Sequence, residues 1–112
     1  MEDSILTSIK KLLGISAEYT HFDTDIIIHI NTVFMTLNQL GVGPSEGFRI
    51  EDDAAIWDDY IETDDNLDAV KTYIYLKVKL IFDPPLNSSV AETMKQAISE
   101  YEWRLNIQAE SE

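Results

Sequence analysis

The sequence predicts an all-α fold, a small bundle of about four to five helices that ends in a long antiparallel helical hairpin. Apolar residues recur at helical spacing in several separate segments, glycines and a Pro84-Pro85 pair punctuate them, and a helix-capping signature opens the last one. A chain of 112 residues fits a single domain over 1–112 with one modest core.

The first helix is predicted over residues 3–13, with Ile5, Leu6, Ile9, Leu12 and Leu13 on one face and Gly14 as the residue that closes it. A second is predicted from Asp23 to Leu40, before Gly41, with Asp23 or Thr24 as its N-cap and Asp25 near the positive end of the helix dipole. Its apolar face holds Ile26, Ile27, Ile30, Val33, Phe34, Leu37 and Leu40. These β-branched residues would also suit a strand, but so long a run without a turn signal exceeds the usual strand.

Three of the four glycines fall between Gly41 and Gly47, so this stretch is read as a loop and the one internal hinge. It lacks the Gly-Lys-Ser or Gly-Lys-Thr of a phosphate-binding loop, and no strand precedes it as a dinucleotide site needs. Residues 46–68 hold ten acids and one base, Arg49, among Ile56, Trp57, Tyr60, Ile61 and Leu67. The segment reads as a short amphipathic helix or an irregular crossover, and a short helix over residues 54–61 is the favoured prediction.

Residues 66–82 carry two periodicities. Ile74, Leu76, Val78, Leu80 and Phe82 alternate as in a strand, whereas Leu67, Val70, Ile74, Val78 and Ile81 recur at helical spacing. The helical pattern starts earlier, and a segment apolar on all sides suits a helix buried on several sides. Pro84 disfavours α geometry at Asp83, and neither proline can donate a backbone hydrogen bond, so the helix stops there. Ser89-Val90-Ala91-Glu92 then offers a capping box for a last helix whose apolar face is Val90, Met94, Ala97, Ile98, Tyr101 and Leu105. So short a connection makes the two helices antiparallel neighbours.

The formal charge is −13, from 21 acids against 8 bases, and the only close basic pairs are Lys10 with Lys11 and Lys77 with Lys79. Affinity for nucleic acid needs clustered bases that displace counterions, so specific nucleic-acid binding is not expected. The absence of cysteine removes disulfides, thiolate catalysis and cysteine-ligated zinc. The N-terminus is acidic where a secretory signal is basic, and no apolar run is long enough to span a membrane. A soluble protein made in the cytoplasm, with no membrane partner, is expected.

No motif points to a reaction or a cofactor. Asp58, Asp59, Glu62, Asp64 and Asp65 form a run that reads as a solvated face, because acid-base catalysis needs burial and a partner across a cleft. Asp64-Asp65-Asn66-Leu67-Asp68 resembles the start of a calcium loop, but its sixth position is Ala69 instead of glycine and its twelfth Tyr75 instead of glutamate. His21 and His29 form no zinc motif and no triad with a nucleophile elbow, and they read as capping or surface residues. No catalytic, cofactor-binding or metal residue is therefore assigned. Aromatics are abundant, and they dominate protein interfaces. Core packing accounts for most of them, and Tyr101 lies on the apolar stripe of the last helix. Trp103 lies off that stripe beside Arg104, and Tyr75 raises the same question of what covers it.

These residues carry a resemblance. Tyr73, Tyr75 and Phe82-Asp83-Pro84-Pro85, followed by Glu102-Trp103-Arg104-Leu105-Asn106, resemble the head-tail connector (adaptor) proteins of long-tailed bacteriophages and prophages. Ile30-Asn31, Gln39 to Pro44 and Trp57 are similar too. The resemblance implies a non-enzymatic, all-helical virion protein at the head-tail junction, without cofactor or metal. It implies a homo-oligomeric ring, a dodecamer, below the portal protein, which extends the DNA channel and meets neighbouring connector or tail-completion proteins. Interface candidates are Tyr75, Asp83, Pro84, Pro85, Tyr101, Trp103 and Arg104. The charge alone would also permit a small acidic DNA mimic that occupies the basic groove of a host nucleic-acid-binding protein.

Overall fold

The computed structural model describes residues 4–44, 46–60 and 67–110. Among them lie five helices: α1 (Ile5–Leu13), α2 (Asp23–Gln39), α3 (Trp57–Tyr60), α4 (Leu67–Phe82) and α5 (Ser88–Glu110). The fold is the predicted all-α bundle with an α4–α5 hairpin, and α4 is its centre, packed against α1, α2 and α5.

In α1 the Ser4 hydroxyl caps the helix by accepting from the Thr7 N–H at 2.9 Å. Ile5, Leu6 and Ile9 are buried, but Leu12 is half exposed. The buried arc is rotated toward Leu6 and Lys10, which leaves Leu12 at its edge. Lys10 is itself buried. Its ammonium donates to the carbonyls of Ala17 (3.2 Å) and Tyr19 (2.7 Å) and lies 2.8 Å from Asp23 Oδ1. The last contact is an ion pair without hydrogen-bond geometry. The connection between α1 and α2 is thus wrapped around one cation.

That cation also corrects the predicted N-cap of α2. The helix begins with Asp23 already inside it, Phe22 holds the cap position without a side-chain bond, and the Asp23 carboxylate turns to Lys10. Ile26, Ile30, Val33, Phe34 and Leu37 are buried. Each contributes on the order of 1.5–3 kcal/mol relative to exposure, which outweighs the weak helix preference of β-branched side chains. α2 ends where Val42 N–H donates to Leu37 O (2.9 Å) and Gly41 N–H to Asn38 O (3.0 Å), a closure that needs the left-handed Gly41 at φ +90°.

The loop that follows is fastened to the bundle. Asn38 Nδ2 donates to Pro44 O at 3.0 Å, and the Asn31 amide grips the Ile50 backbone twice, at 2.9 and 2.7 Å. Gly43 (φ +86°) lets the chain pass over the Tyr60 ring, where a Cβ would lie only 2.6 Å from Cε1. The helix predicted over residues 54–61 is a single turn, Trp57–Tyr60. Its predicted start is extended because Ile5 N–H donates to Ala55 O (2.9 Å) and Ser4 bridges to Ile56. Ile61, Glu62 and the calcium-like run from Asp64 to Asn66 lie outside the described residues. Trp57 is buried with its indole N–H 3.1 Å from Ser8 Oγ, and Phe34, Phe48 and Tyr60 pack ring on ring.

Helix α4 resolves the competing periodicities. Val70, Tyr73 and Ile74, and Val78 after them, recur within helical spacing and are fully buried, whereas the strand-like alternation would have buried Leu76, Leu80 and Phe82 to the same degree, and these are only partly buried. Ile81, at the end of the helical stripe, is exposed because the bundle ends beside it. The predicted capping box of α5 is corrected as well. Asn87 Oδ1 accepts from the N–H of Ser89 (2.7 Å) and Val90 (3.3 Å), so Asn87 is the cap and Ser89 lies within the first turn. Asparagine is as good a cap as serine, and the earlier start lengthens the helix.

Candidate functional site

The described surface has three features that a partner could use, and each grows out of the hairpin or of α2. The hairpin is braced first. Tyr73, buried on α4, donates its hydroxyl to Glu102 Oε2 on α5 at 2.7 Å, and Lys77 lies 3.6 Å from the same oxygen and over the Tyr73 ring. Burial, then the hydrogen bond and charge of Glu102, push the Tyr73 hydroxyl far above the ordinary tyrosine value. Near the other end Asn106 Nδ2 donates to Leu40 O at 3.2 Å, which ties α5 to the end of α2. Leu105 buries between these ties and Ile98 one turn before the first of them.

On the outer side of α5 stands Trp103, 65% exposed, with Ile107 one turn further along and 44% exposed. Glu100 and Arg104 flank it and pair with each other at 2.7 Å, both in solvent. Tyr101, by contrast, packs against the core, and so does Tyr75. The structure therefore separates the aromatic candidates: two are anchored inward and Trp103 points out.

The hairpin tip is the second feature. Asp83 is exposed and pairs with Lys79 at 3.0 Å, Pro84 is exposed, and Pro85 is half buried. Leu86 is fully exposed, and Ile81 and Val90 are about half exposed beside it. Val90, predicted on the buried face, stands clear because α4 has already ended opposite it. At its inner edge Phe82 meets Phe22 with ring centroids 5.2 Å apart, which anchors the tip to the start of α2.

The third feature had no counterpart in the sequence reading. A groove of about 660 Å³ lies between the outer side of α2 and the loop after it, lined by Ile28, Thr32, Met35, Phe48, Glu46 and Arg49 among others. Ile28 and Met35, seven residues apart on one helix face, are 56% and 63% exposed. They are the apolar residues of α2 left over once the core stripe is assigned, and that remainder was a signal available in the sequence.

Charge is distributed unevenly around these surfaces. Residues 1–66 hold fourteen acids against three bases, whereas residues 67–110 hold six against five. Glu51, Asp52, Asp53, Asp58 and Asp59 are all exposed. Two of them serve the backbone: Asp52 accepts from the Ala54 N–H at 2.8 Å and Asp59 from the Ile56 N–H at 3.0 Å. Neither histidine joins a candidate metal cluster among the described residues; His21 is exposed against Phe22, and His29 lies 6.5 Å from Phe82. No described helix is long and apolar enough to cross a membrane.

A family model described as phage connector protein matches residues 5–112. No curated protein and no solved structure matches the chain.

Proposed function

Because the chain belongs to the phage connector protein family, a structural component of the phage particle, we propose that it is a head-tail connector subunit that assembles as a ring below the portal and carries the DNA channel toward the tail. The family match along nearly the whole chain carries this reading. The braced hairpin gives it a physical means, since a rigid unit with exposed apolar side chains loses little entropy on docking.

In this reading Trp103 and Arg104, together with the core-packed Tyr75 and Tyr101, belong to the contact between subunits. The tip formed by Asp83, Pro84, Pro85 and Leu86 meets the portal or the next connector or tail-completion protein. The acid-rich segment from Glu51 to Asp59 is left for the channel wall, where carboxylates repel phosphate and DNA passes without sticking. The chain acts by shape and assembly as one domain without a cofactor. Twelve copies would match a dodecameric portal.

The test is mass by light scattering together with negative-stain images, with and without a portal ring. Rings, formed alone or on the portal, are the expected result. A chain that stays monomeric, ignores the portal and instead binds a basic nucleic-acid enzyme in a salt-sensitive way would overturn the reading in favour of a DNA mimic.

A further inference from the structure

We propose that the groove on the outer side of α2 is the receptor for Trp103 of the next copy, so that the subunits join by one repeated head-to-tail contact. The proposal rests on the ring reading above and names its two surfaces. The groove is built from α2 and the loop after it, and Trp103 stands on α5, so the two are distinct patches. A closed ring needs two such unlike, mutually complementary patches on one chain, in place of a single self-complementary patch.

The two surfaces fit in chemistry. Trp103 and Ile107 make a compact apolar knob, and tryptophan is the side chain most often found as the anchor of an interface. The groove offers Ile28, Met35 and Phe48 as its apolar lining, in a volume that accommodates an indole. Met35 is unbranched and can reshape around a planar ring. Charge fits too. The groove rim carries Glu46 and Arg49, and the flanks of Trp103 carry Glu100 and Arg104. The pairing this predicts with Trp103 seated is Glu100 with Arg49 of the receiving copy. Arg49 has no ion pair within its own chain among the described residues, so it is available to an incoming carboxylate. A two-fold contact through Trp103 would instead set one Trp103 against the other and leave the groove open.

The test uses two single variants of the full chain, Trp103→Ala, which removes the knob, and Met35→Glu, which blocks the groove. Both positions are exposed, so helical circular dichroism should match the parent. Each variant alone should self-associate at least about tenfold more weakly than the parent by light scattering. An equal mixture should form a one-to-one pair and stop there, because each chain keeps only one working face. Arg49→Glu should weaken assembly, and Arg49→Glu with Glu100→Arg should restore part of it. A parent that assembles while both variants assemble equally well overturns this proposal and leaves the ring reading standing. Variants that assemble normally but fail to dock on a portal ring would overturn it too, giving the groove to a different protein. A parent that never self-associates, alone or on a portal ring, overturns both.

Discussion

The Tyr73 hydroxyl donates to Glu102 Oε2 across the hairpin at 2.7 Å, from a ring with no exposed surface to a carboxylate about one-third exposed. It is the polar rivet of a helix pair otherwise held by apolar side chains. Tyr73→Phe keeps the ring and the Lys77 ammonium over it but removes the donor. Glu102 can recover water, so the loss should sit near the low end for a hydrogen bond to a charged group, about 1.5 kcal/mol. Urea unfolding should show a lower midpoint with an unchanged slope, and an unmoved midpoint would contradict the assignment.

Alkali should unfold the protein partly through the same residue. Burial raises the hydroxyls of both Tyr60 and Tyr73 above the ordinary tyrosine value, with Glu102 adding to the effect at Tyr73. Below about pH 10 both residues are protonated in the folded and unfolded chains, and their contribution is constant. Above it the unfolded chain releases two protons that the folded chain retains. Stability then falls by about 1.4 kcal/mol per pH unit for each tyrosine, until the raised folded values are reached. A Tyr60→Phe, Tyr73→Phe double variant should lose this steepness in a series of denaturant curves above pH 10. Equal slopes in parent and variant would refute the role of the two hydroxyls.

Lys10 holds residues 15–22 in place, and Lys10→Met should cost about 3 kcal/mol or more. The methionine fills the space, but the Ala17 and Tyr19 carbonyls lose their donor and Asp23 keeps a charge with its Oδ1 buried. Adding Asp23→Asn should recover part of that loss, because the uncompensated charge is then gone. A thermal scan of Lys10→Met, Asp23→Asn and the double variant checks this, and additive losses would show that Lys10 and Asp23 are not coupled.

Lys10 also shows where the sequence was legible and where it was not. Its position four residues after Leu6 places it on the apolar stripe of α1, yet a lysine there reads as surface until the carbonyls that receive it are known, and those come from a loop without periodicity. Helix α4 was readable despite its alternation, because the helical stripe from Val70 to Val78 begins before the strand-like one. The cap of α5 was misplaced by two residues because Asn87 and Ser89 are both good caps, and sequence alone does not rank them. The groove went unseen because Ile28 and Met35 gain meaning only when Phe48 and Arg49, brought in by a loop fastened at Asn31, form its opposite wall.

Leu86 at the hairpin tip offers the sharpest separation of docking from folding. Its side chain is fully exposed and buries nothing in the subunit, so Leu86→Asp should change stability by no more than about 0.5 kcal/mol. Ile81 and Val90, near it in the chain, are about half exposed as well, and apolar surface left open at one end of a braced hairpin marks a protein contact. A carboxylate placed at its centre must be desolvated against whatever apolar surface covers it, which opposes docking without touching the α2 groove or Trp103. Leu86→Asp should therefore self-associate like the parent in light scattering while failing to co-sediment with portal rings. Retention on the portal at parental strength would place the portal contact elsewhere on the subunit.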